Sequence, residues 1–225
     1  MKLFTLFTFC FCLLLIPPRN ASAQNIGLVA KASTSGVGGE FGYRLSDKFI
    51  LKAGYETIDL NYSSTFTESD FTIDASGSFT TGNVSFLMDY QLFNFLYVST
   101  GILLNNTAVT VSGAFAEDYV WGDVVISKED MGAIEWKITP QYALSPYLGI
   151  GFGNNLIHSR RVSYSFEVGG IFQGSPQIDI SSDGILAPNQ DPDFNQSGIL
   201  ENQISKYRFY PTIKVQLGIN IVRFK

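Results

Sequence analysis

Sulfur, histidine and long apolar runs are what this chain has least of. Its cysteines, Cys10 and Cys12, both fall inside the N-terminal apolar run, and His158 is the only histidine. Beyond that run nothing is left to form a disulfide or a thiolate metal site. Lipoprotein-type processing is disfavoured as well, since Phe9 and Phe11 stand before the two cysteines. After Ile16 no apolar stretch reaches the ~18 residues that a spanning helix needs. A mature chain that crosses a membrane must then do so with strands, because only helices and closed barrels satisfy every backbone group in lipid. Positive charge is also in deficit, with 15 Lys and Arg against 20 Asp and Glu. That balance argues against nucleic acid as a partner.

What is present begins with an export signal. Met1-Lys2 precede the apolar run Leu3–Ile16, Pro17-Pro18 break it, and Ala21-Ser22-Ala23 supplies an A-x-A site. These are the parts of a secretory signal peptide. Cleavage is expected after Ala23, giving a leader (residues 1–23) and one barrel domain (residues 24–225). Loss of Lys2 and Arg19 with the leader takes the formal charge from −5 to −7.

The rest alternates with period two, the mark of strands with one apolar face. From Trp136 to Gly153 the face with Trp136, Ile138, Leu148, Ile150 and Phe152 opposes one with Lys137, Thr139, Gln141, Ser145 and Tyr147. From Val162 to Gln173, Tyr164, Phe166 and Val168 oppose Ser163, Ser165 and Glu167. Similar stretches at 26–33, 37–45, 49–62, 79–92, 95–114 and 207–224 complete a set of eight. The links at 46–48, 93–94 and 154–160 are short, whereas 63–78, 115–135 and 174–206 are long and rich in Ser, Asp, Asn and Gly. Short turns on one rim and long loops on the other are the outer-membrane pattern. The expected fold is all-β: an eight-stranded antiparallel up-and-down transmembrane β-barrel, with both termini on the short-turn rim.

The charges choose which face is inside. Lys31, Glu40, Arg44, Lys52, Glu56, Asp89, Lys137, Glu167, Arg208 and Lys214 all fall on the polar face of their strands. A lysine or arginine facing lipid at mid-membrane costs about 2–4 kcal/mol, so these ten are expected to form an interior charge network. Six are basic and four acidic, and near balance suits mutual neutralisation more than a selective pore. Pro140, Pro146 and Pro211 interrupt strands and call for bulges or shorter segments. At the C-terminus strict alternation puts Arg223 on the apolar face, which a bulge near Val222, or Arg223 snorkelling to the periplasmic interface, would resolve.

Three motifs carry a family resemblance. Pro146–Asn154 (PYLGIGFGN), Phe172–Pro176 (FQGSP) and Tyr207–Pro211 (YRFYP) resemble runs in small outer-membrane β-barrels of Gram-negative bacteria, similar to the OmpA- and OmpW-like barrels. The resemblance implies a non-enzymatic envelope protein, with outer-membrane lipid and the outer-membrane insertion machinery as partners. That machinery commonly reads a terminal aromatic, and here Phe224 is followed by Lys225. A monomer is the favoured state, and no cofactor is expected.

Other candidate sites read as ordinary structure. His158 sits in a short turn beside Arg160 and Arg161, without a converging acid–base partner. Asp191-Pro192-Asp193-Phe194-Asn195 starts like a calcium loop, but Gln196 replaces the required glycine and Asn202 the bidentate glutamate. Ser197–Tyr207 has the N-cap and apolar spacing of a short helix. The expected function is thus structural or surface-interacting with a plugged lumen, the alternative being a narrow channel for small or hydrophobic solutes. A soluble lipocalin-like binder would need the opposite facing of charge.

Overall fold

The computed structural model describes residues 25–68, 71–154, 162–190, 198, 201 and 204–223. The leader and its cleavage site, His158, Asp191–Gln196, Asn202, Phe224 and Lys225 lie outside these residues. In chain order the strands are β1 (Asn25–Ser33), β2 (Gly36–Arg44), β3 (Phe49–Glu68), β4 (Phe71–Phe93), β5 (Leu96–Leu104), β6 (Ala108–Phe115), β7 (Tyr119–Trp121), β8 (Val124–Ile126), β9 (Ala133–Thr139), β10 (Leu144–Asn154), β11 (Val162–Phe172), β12 (Gln177–Ser182) and β13 (Phe209–Arg223). A one-turn helix, α1 (Lys128–Met131), and a 3-10 helix, Gly184–Gln190, lie among them. No helix of the described residues is long and apolar enough to cross a membrane.

Strands β1, β2, β3, β4, β5, β10, β11 and β13 pair antiparallel in that order, and β13 returns to β1. This closes an eight-stranded up-and-down barrel. The facing follows the alternation. Leu148, Ile150, Phe152, Phe166, Val168, Val215 and Leu217 are exposed on the outer wall, while Ser145, Tyr147, Ser165, Glu167, Lys214 and Gln216 are buried inside. A small lumen must alternate large and small side chains to fill, and here large interior groups meet glycine. Tyr97 is registered directly opposite Gly151, and a Cβ at Gly151 would collide with the Tyr97 ring.

Each of the three strand-interrupting prolines sits where a ladder ends. Pro140 follows the last residue of β9. Pro146 is registered against Ile102 of β5, but the pairing of β10 with β11 starts only at Tyr147. Pro211 pairs with Gly170 of β11 but lies beyond Lys214, where the β1–β13 ladder stops. The C-terminal phase slip is present as a one-residue register shift: Ile26 pairs with Val222 and Gly27 with Asn220.

Beyond the barrel rim the chain departs from the expected loops. Residues 63–68 and 71–78 continue β3 and β4, paired without a register shift from Phe49/Tyr90 to Glu68/Phe71. The upper half of β4 then pairs with β6, β6 with β9, and β9 with β12. The stretch 95–114 is therefore two strands: β5 stays in the ring, and β6 leaves it after a break at 105–107. Likewise 136–153 splits at Pro140–Ala143 into β9, outside the barrel, and β10, inside it. Richness in Ser, Asp, Asn and Gly suggested loops, yet the threonines interspersed among them are well suited to a pleated surface, and the sheet uses short hydroxyls on its polar side.

That sheet inverts the facing of the barrel. Positions in phase with the lumen become apolar, in rows Leu60–Phe79–Val109–Ile138–Ile178 and Tyr62–Gly77–Val111–Trp136–Ile180. Positions in phase with the outer wall become polar, in rows Asn61–Ser78–Thr110–Lys137–Asp179 and Ser63–Ser76–Ser112–Glu135–Ser181.

Candidate functional site in the barrel interior

The lumen is the one place where the described residues gather chemistry-bearing side chains away from solvent. Lys31, Glu40, Lys52, Glu56, Asp89, Glu167 and Lys214 are buried there. They arrive from β1, β2, β3, β4, β11 and β13, each at an inward position of its strand. Lys31 Nζ lies 2.9 Å from Glu40 Oε1 and 3.1 Å from Glu56 Oε2. Lys52 Nζ lies 3.0 Å from Asp89 Oδ2 and 3.7 Å from both Glu40 Oε2 and Glu167 Oε2. Lys214 Nζ is 3.2 Å from Glu167 Oε1. All seven charged groups are thus linked in one set, three ammonium groups among four carboxylates.

Neutral polar groups finish the set. Tyr147 Oη donates to Glu167 Oε1 at 2.5 Å, and Thr212 Oγ1 donates to Tyr147 Oη at 3.4 Å. Lys214 Nζ sits 3.7 Å above the Tyr147 ring, and Lys52 Nζ is 5.7 Å from the centre of the Tyr97 ring. Such cation–π placement stabilises an ammonium group more strongly where water is excluded. Toward the long-connection rim, Ser35 Oγ donates to Glu56 Oε1 at 2.6 Å, and Thr81 Oγ1 donates to the Ser35 carbonyl at 2.6 Å. An apolar layer of Leu87, Leu103, Tyr147 and Ile171, with Tyr210 against it, lies beside these groups.

Three of the expected members are elsewhere. Arg44 stands at the short-turn rim and pairs with Asp47 of the β2–β3 turn. Lys137 is exposed on the polar face of the outer sheet, registered against Thr110 and Asp179. The reading of one unbroken strand carried the lumen phase back through Pro140, and the break there puts β9 outside the ring. Arg208 is exposed just before β13, with its Nε donating to the Ser205 carbonyl at 3.2 Å; its strand face is inward, but it lies above the rim. Missed by sequence reasoning were Tyr97 as a wall of the Lys52 site and Ser35 as a partner of Glu56. The inward phase of Tyr97, two residues before Ser99, was the available signal for the first. Ser35 lies in a tight turn, where no periodicity reports on facing.

The contact with most bearing on function crosses the lumen. β3 and β11 stand four places apart in the ring, on opposite walls, and Lys52 meets Glu167 across it. Lys31 of β1 reaches Ser85 of β4, three places along the ring, at 3.4 Å. Side chains from facing walls therefore meet at the axis. Among the described residues no group of His, Cys, Asp and Glu has a metal-binding arrangement.

No family model matches the chain, and no curated protein matches it. Among solved structures, the fold is similar to that of Acinetobacter baumannii CarO2, with a TM-score of 0.59 and 17% identity over 89% of this chain and 100% of that one. It is likewise similar to Acinetobacter baumannii CarO, with a TM-score of 0.56 and 19% identity over 88% of this chain and 98% of that one. These likenesses are in fold, over nearly the whole length of each partner.

Proposed function

We propose that the protein is a non-enzymatic outer-membrane β-barrel whose lumen is plugged by its own ion pairs, serving envelope structure or surface interaction. The observation that carries this reading is the Lys52–Glu167 contact between opposite walls. An eight-stranded barrel has room for its own side chains or one small ligand. Here the space at the axis is taken by opposite charges in ion-pair contact with one another. Placement in an outer membrane is supported by the apolar outer wall, the export signal read from residues 1–23 and the fold shared with CarO2 and CarO. The OmpA- and OmpW-like kinship rests on the three sequence motifs, and so does assembly by the outer-membrane insertion machinery.

Planar-bilayer recording of the refolded mature chain tests the plug. The expected result is current near background from the wild type. A reproducible single-channel current whose ion selectivity changes in Glu167→Gln would replace the plug with the narrow-channel reading.

A further inference from the structure

The outer sheet has two edges, and they are treated differently. β12 is short, its Ile178 N–H donates to Glu201 Oε1 at 2.9 Å, and the 3-10 helix after it is tied back by Ser182 Oγ to the Ala187 carbonyl at 3.5 Å. The opposite edge is β3 beyond Thr57, where pairing with β2 ends. Lys48 O accepts from Gln91 N on the β4 side, and Phe49 O accepts from Leu45 N on the β2 side. Strict alternation along β3 then aims the backbone N–H and C=O groups of Asp59, Asn61, Ser63, Thr65 and Thr67 away from β4. Among the described residues no strand meets them there, and all five residues are exposed.

Natural sheets guard such an edge with charged side chains, lysine above all, or with proline, a bulge or short length. From Ile58 to Thr67 this one carries a single charge, that of Asp59 near its lower end, and none of the other devices, and it runs about 30 Å at the usual rise per residue. Exposed apolar side chains gather beside it: Leu60 is 56% exposed, Tyr62 74% and Phe66 60%.

We propose that this edge is a homotypic docking strand, on which a second copy of the chain pairs antiparallel about a two-fold axis at Ser63. The edge is complementary to itself in that register. Leu60 falls opposite Phe66 on the apolar face, while Asn61 falls opposite Thr65 and Asp59 opposite Thr67 on the polar face. No like charges oppose, and the unpaired backbone groups of both copies are satisfied, as an isologous contact requires. The antiparallel sense sends the two barrels in opposite directions. The pair therefore joins copies set in two facing membranes, a consequence that rests on the membrane reading above, while the pairing itself does not.

The test uses mature protein beginning at Gln24, which has no native cysteine. In detergent, Ser63→Cys is expected to oxidise to a covalent dimer, while Ser112→Cys, in mid-sheet on the same face, stays monomeric. Asn61→Pro removes an N–H that the β4 ladder does not use, and Ser63→Lys sets two ammonium groups face to face. Each is expected to lower dimer at fixed concentration roughly tenfold or more, with the heat-modifiable gel mobility of a folded barrel retained. Vesicles carrying wild-type protein and labelled in two colours are expected to cluster, and vesicles carrying Ser63→Lys to stay apart. Wild-type monomer at all concentrations, or equal cross-linking of Ser112→Cys, would overturn the proposal. Cross-linking of Ser63→Cys in cells only to an unrelated polypeptide would overturn the choice of a second copy. A chain that dimerises in detergent but will not insert into vesicles would sink the membrane reading and leave the edge pairing standing.

Discussion

The hairpin of β3 and β4 runs through two environments with one unbroken register, and its two halves have opposite facing. In the lower half Leu51, Tyr55, Val84 and Phe86 point outward, and Lys52, Glu56, Asn83 and Asp89 point to the axis. In the upper half Asn61, Ser63, Ser76 and Ser78 point outward, and Leu60, Phe66, Ile73 and Phe79 take the axis side. The switch falls between Tyr55 and Asp59 on β3 and between Ser78 and Val84 on β4. A strand has no intrinsic preference for which face is apolar, because the solvent on each side decides. On the outer-membrane reading proposed above, the hairpin records where the surroundings of the wall change from lipid to water.

The largest expected effect tests the lower half from inside. Lys52→Met leaves Glu40, Asp89 and Glu167 facing one another without their shared cation. Removing one partner of a buried pair costs about 3–5 kcal/mol, so thermal unfolding in detergent should move well downward. An unchanged midpoint would mean that water reaches these groups freely. Next is the wall itself. Phe166→Arg should cost about 2–4 kcal/mol at mid-membrane and impair assembly far more than Phe166→Leu, as read by the yield of heat-modifiable protein. Equal tolerance would place this wall in water and erase the contrast between the halves.

A smaller effect is expected at Gly151→Ala, whose new methyl must displace the Tyr97 ring. Overpacking of this kind costs about 1–3 kcal/mol, and the loss should be seen in the unfolding midpoint. The smallest is expected in the upper half. Ser76→Arg and Lys137→Ala alter the water-facing side of the sheet and should leave both assembly yield and midpoint unchanged. A clear loss with Ser76→Arg would show that the polar face is covered.

Much of the barrel was legible because an apolar outer wall and charge inside impose a two-residue period with strong contrast. Phe166 beside Glu167, and Val215 beside Lys214, leave a single way to face the strand. The outer sheet was not legible for the same reason reversed. Its polar side is built from short hydroxyls such as Ser76 and Ser112, whose composition is also that of loops. Its apolar side is diluted by Ser64, Ala75 and Gly77, so its period is faint. Lys137 shows the cost directly: its own strand is regular, but its facing depends on β6 and β12, which a local reading does not supply. The interior pairs were legible as a set and not as partners, since Lys52 meets Glu167 through ring closure and not through sequence proximity.

The seam between β1 and β13 gives the molecule an order of events. Lys31, Glu40, Lys52, Glu56 and Asp89 all sit on the first four strands, and their mutual contacts need only successive hairpins. Glu167 and Lys214 come from neighbouring strands near the other end. Each half can neutralise most of its own charge while still wet, and only Lys52–Glu167 waits for the halves to meet. Joining the termini's strands is the step of longest loop closure and is expected to be the slow one. At the long-connection rim it is latched by Thr34, whose N–H donates to the Ile213 carbonyl at 3.1 Å and whose own carbonyl accepts from Tyr210 Oη at 2.9 Å. Contacts made after the rate-limiting step chiefly retard unfolding. The latch at Thr34 should accordingly set how long a finished barrel lasts more than how fast one is made.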